Sequence, residues 1–182
     1  METFTAARPF AEDPDYARRR HETLAELDLD DVDPPIVDVV VGFNALPHCF
    51  TLQCCCGHFV WAPGQGEHNL ERLPREPVGA VRYRVAYVAL CIEDSSRGRA
   101  LRRSLARLAT LDPAFVQFGS ADWFWERWVN SWVLQVEPAA HRLRDQATLE
   151  YAEALRTEEV RGLFFDGLRA LLAAEQRDAG GG

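Results

Sequence analysis

The stretch "VGAVRYRVAYVALCIE", Val78 to Glu93, is the longest β-like run in the chain, and its reading decides the fold class. Alternate side chains of a strand share a face. Tyr83, Val85, Tyr87, Ala89 and Cys91 therefore lie on one side, with Val88, Leu90 and Ile92 on the other. Both sides become apolar toward the C-terminal end, the pattern of a central strand, Val81–Ile92, covered on both faces. Such a strand needs partner strands beside it and other elements above and below.

The flanking sequence supplies them. Downstream, Ser95 or Ser96 caps a helix whose buried stripe is Leu101, Leu105, Leu108 and Leu111, with Arg99, Arg102, Arg103 and Arg107 turned mostly away. "AFVQFGS" (114–120) reads as a short strand, "ADWFWERW" (121–128) as an aromatic turn or short helix, and "VNSWVLQVEP" (129–138) as a strand closed by Pro138. From Ala139 the pattern predicts two helices, marked by Leu149, Ala152 and Leu155 and then by Leu163, Phe164, Leu168, Leu171 and Leu172, with Thr157 capping between them. Residues 179–182 read as a flexible tail.

Upstream, Asp13-Pro14 is a helix start, predicting a helix over Pro14–Leu27 and then the acidic linker "LDLDDVD". Asp33-Pro34-Pro35 is a second start. Ile36, Val37, Val40, Val41, Phe43 and Leu46 follow on one helical face, although the valines suit a strand as well, and Pro47 ends the element. "CFTLQCC" and "HFVWA" read as β, either one kinked strand or two segments joined at Gly57. The Gly- and Pro-rich segment Pro63–Pro77 is longer than the usual connection and reads as a lid or binding loop. The order α, α, β, β, loop, β, α, β, β, α, α predicts an α/β (α+β) fold in one domain over 1–178: a mixed sheet with helices packed on it, an N-terminal helix and linker over 1–33, and C-terminal helices over 139–178.

The bulk numbers bound the function. The chain has 182 residues, 47% of them hydrophobic and 26% charged, the composition of a soluble globular protein. No apolar run approaches the roughly 18 residues of a membrane span, and the N-terminus lacks the basic-then-apolar order of a secretory signal, so a cytoplasmic location is expected. The net charge is −8 and all 20 basic residues are arginine, which argues against broad nucleic-acid contact. Five cysteines, Cys49, Cys54, Cys55, Cys56 and Cys91, form an odd and crowded set, which suits free thiols in a reducing compartment.

The chemistry-bearing stretch is "LPHCFTLQCCCGHFVWAPG", Leu46 to Gly64. Zinc on Cys54, Cys56 and His58 is disfavoured by spacing. Alternate strand side chains stand roughly 6.5–7 Å apart, whereas tetrahedral zinc needs its sulfurs about 3.8 Å apart, so no metal site is assigned. Thiol chemistry would pair Cys55 with His58 as base; the plain alternative is that the thiols are small buried hydrophobes. Gly57 permits a positive φ or a close approach, so Gln53–His58 reads as a tight strand-end turn facing a pocket.

These residues carry a resemblance. "FNALPHCFTLQCCCGHF" resembles the signature of the tRNA wybutosine-synthesising protein 3 family, an Asn near a helix end followed by a Thr-x-Ser-Ser-Cys-Ser-Gly-Arg turn. Asn44 and Thr51 match the family's Asn and Thr, Cys55 its cysteine and Gly57 its glycine. Gln53, Cys54 and Cys56 stand at its other turn positions, and His58 replaces its arginine. The resemblance extends in element order over residues 36–137. It implies an α/β protein that methylates a nucleobase-like ring with S-adenosylmethionine.

Further ligand contacts are expected from Ser96 and Arg97, at a helix N-terminus beside a strand end, from Trp61 as a pocket wall, and from Asn130 or Gln135, polar residues in a β-like run. One of the four tryptophans between 123 and 132 would serve as a stacking platform. The sequence thus predicts a small-molecule-binding α/β protein, with His58 and Cys55 as catalytic residues and Gln53, Cys56, Gly57, Trp61, Ser96, Arg97 and Asn130 binding ligand. The alternatives are a non-catalytic interaction module and a thiol or metal centre at the turn. An apolar stripe on the C-terminal helices would make a homodimer.

Overall fold

The computed structural model describes residues 5–142 and 144–180, with the side chains of 178–180 left out. Helices α1 (Tyr16–Ala25) and α2 (Val37–Ala45) precede strands β1 (Cys49–Cys55) and β2 (His58–Val60). Strands β3 (Val81–Arg84) and β4 (Ala86–Ile92) lead to helix α3 (Ser96–Leu108), strand β5 (Val116–Ser120), the one-turn helix α4 (Asp122–Trp125) and strand β6 (Ser131–Val136). Strand β7 (Gln146–Leu149) and the long helix α5 (Tyr151–Gly180) complete the described chain. The α/β (α+β) class expected from the sequence holds. The strands, however, make two sheets, ordered β1-β4-β6-β5 and β2-β3-β7, and every pairing is antiparallel.

One ribbon runs through both sheets. β1 continues into β2 through Cys56-Gly57, and β3 into β4 through Val85. The pair Cys55↔Tyr87 closes the large sheet and His58↔Arg84 opens the small one. The Val81–Ile92 run thus keeps its predicted faces but is broken as a ladder. The Tyr83 hydroxyl accepts from the Ala86 N–H at 3.0 Å and donates to the Val136 carbonyl at 2.8 Å, bridging the break while Ala86 stays in register with Val136.

β4 is central in the large sheet and covered on both sides, as its apolar faces predict. One face carries Ala86, Val88, Leu90 and Ile92 into the main core beneath α2, α3 and α5, with Phe43, Leu101, Phe164 and Leu168. On the other face Tyr16 of α1 covers Phe50 and Cys91, and Trp123 and Phe124 pack near Ala89 and Val133. A satellite core under the small sheet gathers Phe59, Leu73, Val81, Tyr83, Val85 and Leu149.

The valine-rich segment is helical because burial outweighs propensity. The turn Pro34–Ile36 starts it, Val39, Val40 and Phe43 face the core, and Gly42 lies against Leu172. The C-terminal segment departs from the two helices expected. Ala147 and Leu149 are buried between exposed neighbours in β7, which pairs with β3. A single helix follows. Its Thr157 does not cap: buried in mid-helix, the hydroxyl donates to the Glu153 carbonyl at 2.8 Å, a back-bond within the helix. Of the expected tail, 179 and 180 lie within the span of α5, and Gly181 and Gly182 lie outside the described residues. Among the described residues no helix is long and apolar enough to cross a membrane.

β1 is an edge strand, and unpaired edge groups invite wrong pairing. Here side chains occupy them. Asn44 accepts from the Thr51 N–H at 2.8 Å and donates to the Thr51 hydroxyl at 2.8 Å. Asp33 accepts from the Cys56 N–H at 2.8 Å, and Arg20 donates to the Cys49 carbonyl at 3.3 Å. The paired Asn and Thr of the sequence signature thus clamp the edge strand to the end of α2. Asn44→Ala removes both bonds, and an expected loss of about 1–3 kcal/mol follows, read as a lower urea midpoint. Thr51→Val keeps the backbone bond and costs less.

Candidate functional site

The sulfur-rich bend is built by the crossing from one sheet to the other. Gly57 adopts φ +80° there, and its carbonyl accepts from Arg161 of α5 at 2.6 Å. Protein atoms, not a ligand, crowd its Cα: a Cβ would stand 2.7 Å from the Ala86 Cβ and 3.2 Å from the Arg161 Cδ. Cys55, Cys56 and His58 are 5%, 4% and 1% exposed. The expectation that this turn faces a pocket is therefore corrected: α5 and the 61–80 loop close over it. With the turn go His58 and Cys55 as groups touching substrate, and Cys56 and Gly57 as ligand contacts.

Inside the bend the imidazole is held on both sides. His58 Nδ1 meets the Asn69 carbonyl at 3.2 Å, and Nε2 lies 3.3 Å from Asp33 Oδ2. Burial disfavours the charged imidazole, but Asp33 and then Cys55 outweigh it and push His58 up to about 10. Burial likewise opposes ionisation of Asp33, yet His58 and the Cys56 N–H hold its carboxyl well below the usual range. The sequence predicts Asp33 only as a helix start. It makes no such cap and serves the bend instead. The Asp-Pro-Pro start signal gives no sign of this, because its partner lies 25 residues on in the chain. His68, Asn69 and Arg161 escape sequence reasoning for the same reason.

All five cysteines are free thiols. Cys49 donates to the Phe43 carbonyl at 3.2 Å and Cys91 to the Val129 carbonyl at 3.3 Å. Burial pushes the Cys54 thiol up to about 12 and raises Cys49, Cys56 and Cys91 as well. Thiols held protonated by burial pack and do not attack. Cys54, Cys56 and His58 do not converge as ligands either. Among the described residues the group able to share one ion is Asp33, His58 and His68.

The remaining expected contacts scatter. Cys55 pairs near the start of β4, whereas Ser96 and Arg97 follow its far end, roughly 17 Å along the strand from Tyr87 to Ile92. Both are exposed, and Ser95, not Ser96, caps α3, accepting from the Gly98 N–H at 3.1 Å. Asn130 is fully buried at φ +64°. Its amide clamps the N-terminal segment, accepting from the Ala11 N–H at 2.9 Å and donating to the Ala11 carbonyl at 2.8 Å. Gln135 is buried and donates to Glu137 at 2.8 Å. Trp61 packs half-buried on the satellite core, and its N–H donates to Gln65.

Gln53 is the expected residue that does meet open space. The register of β1 slips between Thr51 and Gln53. Such a bulge re-aims side chains at a sheet edge. A groove of about 410 Å³ runs beside it, walled by Leu52, Gln53, Cys54, Val32, Val40 and Trp128 and edged by Glu26, Asp28, Asp31 and Arg127. The Arg127 guanidinium lies 4.0 Å over the Trp128 ring. A second hollow of about 320 Å³ shares Thr23, Glu26, Arg127 and Trp128 and adds Arg18 and Arg19 of α1.

The architecture defines a class: two antiparallel sheets sharing one ribbon, with helices on both faces of the larger. Solved structures of the PH1069 protein from Pyrococcus horikoshii are similar in overall fold. One superposes with a TM-score of 0.53 at 12% identity, covering 90% of this chain and 95% of that one. Another, from Pyrococcus horikoshii OT3, gives 0.51 at 13% identity over 88% and 93%. No protein-family model and no curated protein matches the chain.

Proposed function

We propose that this is a ligand-binding protein whose groove beside β1 takes a small ring compound, and that its chemistry is methyl transfer from S-adenosylmethionine to a nucleobase-like ring. In this reading the chain is a distant relative of the tRNA wybutosine-synthesising protein 3 family. The observation that carries it is the groove itself, whose volume lies in the usual range for small-molecule sites, roughly 300–1,000 Å³. Its wall includes Gln53 and Cys54, residues of the signature turn.

The donor set suits the proposed cofactor, which supplies an electrophilic methyl group on a positively charged sulfur when bound. Trp128, Leu52 and Val32 offer apolar and aromatic surface for a flat ring. Glu26, Asp28 and Asp31 can accept from sugar hydroxyls and balance a cation, and Arg127 can meet a carboxylate. Gln53 can both donate and accept at a base edge. Methyl transfer depends chiefly on orienting the acceptor, so burial of His58 leaves the reaction class intact. The acidic net charge keeps nucleic-acid contact local, and free thiols suit the cytoplasm. Leu155 and Leu163, exposed on α5, are the surface for a homodimer.

Calorimetry with S-adenosylmethionine and with its demethylated product tests the reading. Saturable binding is expected, and Trp128→Ala should weaken it roughly 5- to 150-fold, the worth of one stacked ring at about 1–3 kcal/mol. If neither compound binds, methyl transfer is ruled out.

A further inference from the structure

We propose that Asp33, His58 and His68 form a binding site for a first-row divalent cation of the zinc class, separate from the groove. One ligand atom from each of the three lies within 4.8 Å of the others. Bonds of about 2.0–2.1 Å at tetrahedral angles set adjacent donors about 3.3–3.4 Å apart, and His58 Nε2 stands 3.3 Å from Asp33 Oδ2.

The hydrogen bonding points the same way. His58 Nδ1 faces the Asn69 carbonyl, which can only accept, so Nδ1 keeps its proton and Nε2 is the ring atom that could exchange its proton for an ion. Nε2 is buried and faces a carboxylate oxygen of Asp33. Without an ion, a proton shared by this pair supplies the positive charge that a residue 1% exposed requires, and a metal ion would take that proton's place. Metal-bound histidines commonly donate their other ring N–H to a backbone carbonyl, and ligating carboxylates are themselves hydrogen-bonded. Asn69 does the first here, and the Cys56 N–H does the second.

His68 completes the set from solvent. It is exposed, and its ring meets His58 edge-on, with centroids 5.2 Å apart and an interplanar angle of 80°. Two imidazoles and one carboxylate suit zinc, nickel, copper or iron and not magnesium or calcium. Three protein ligands with one of them at the surface leave a fourth position for water. The ion would tie the 61–80 connection to β2 and to the segment before α2.

The test is titration of metal-free protein with zinc chloride by calorimetry, paired with the absorption spectrum after cobalt substitution. The expected result is one ion per chain, with cobalt bands free of thiolate charge transfer, and a loss of at least roughly 100-fold in His68→Ala, since changes even to supporting residues cost 10- to 100-fold. Asp33→Asn, which keeps an acceptor for the Cys56 N–H, should show a comparable loss. Zinc should raise the melting temperature of the wild type and not of His68→Ala. Absence of saturable binding, unchanged affinity in His68→Ala, or sulfur-to-cobalt charge transfer would each overturn the site. The last would place the ion on the cysteines.

Discussion

Gly57→Ala is expected to lower stability by about 1–6 kcal/mol, centred near 3. Two costs add. A non-glycine residue held at φ +80° carries strain of about 1–3 kcal/mol. The new methyl would also stand 2.7 Å from the Ala86 Cβ and 3.2 Å from the Ala86 nitrogen, where backbone must move, and overpacking of this kind costs about 1–3 kcal/mol. Alanine restricts the unfolded chain, which returns only about 0.4–1 kcal/mol. For a chain of this size a loss at the centre of that range lowers the melting temperature by roughly 6–12 °C. Gly64 is the internal control. It has a similar φ of +85°, but a methyl there would meet nothing within 4 Å, so Gly64→Ala should cost only the strain. Equal effects at the two sites, measured by urea denaturation, would show that the contact with Ala86 contributes nothing.

Trp132→Ala should cost about 3–5 kcal/mol, the usual range for deleting a buried aromatic. The side chain is 1% exposed and packs edge-on against Phe10, with centroids 4.6 Å apart, and against Trp125 at 5.6 Å. The Arg102 guanidinium lies 5.0 Å over its ring. Loss of the ring also frees Phe10, and with it the N-terminal segment that Ser120 and Asn130 hold by hydrogen bonds. Faster amide exchange at Arg8 and Ala11 is therefore expected along with the lower stability. Trp132→Phe is the informative partner. The indole Nε1 is buried without a hydrogen-bond partner, so phenylalanine removes an unpaired donor while keeping most of the ring. Its cost should be well below that of alanine. A phenylalanine variant as unstable as the alanine one would mean that the indole N–H is satisfied in solution.

The elements whose signals lie within a few residues are legible in the sequence. The alternation around β4, the Leu101 and Leu105 stripe of α3 and the Ser95 cap are each set by neighbours in the chain and appear where their patterns place them, whereas Leu111, expected in the stripe, lies beyond the end of α3 and is exposed. The glycine at the bend is legible too, because its residue type reports its own φ. β7 is not, since four residues alternating once resemble a helical face as closely as a strand. Thr157 misleads because a threonine that caps and one that bonds back inside a helix are identical in sequence.

The site divides along the same line. Local sequence marks the Gln53–His58 segment as a sharp turn, while the pairing of Asn44 with Thr51 comes from the structure. Local sequence does not say which side of the turn meets solvent. That depends on α5, more than 90 residues further along, whose Arg161 reaches the Gly57 carbonyl, and on the loop bearing His68 and Asn69.

What this sequence determined unaided is most of its layered plan up to β6: the order of those strands and helices, the apolar faces of β4, and a turn residue at Gly57. The closing of the bend, the pairing of Asp33 with His58 and the opening of a groove at Gln53 were decided by the tertiary structure. Backbone conformation and amphipathic faces arise from interactions between near neighbours. Burial of a polar group is fixed by whatever distant segment lies over it.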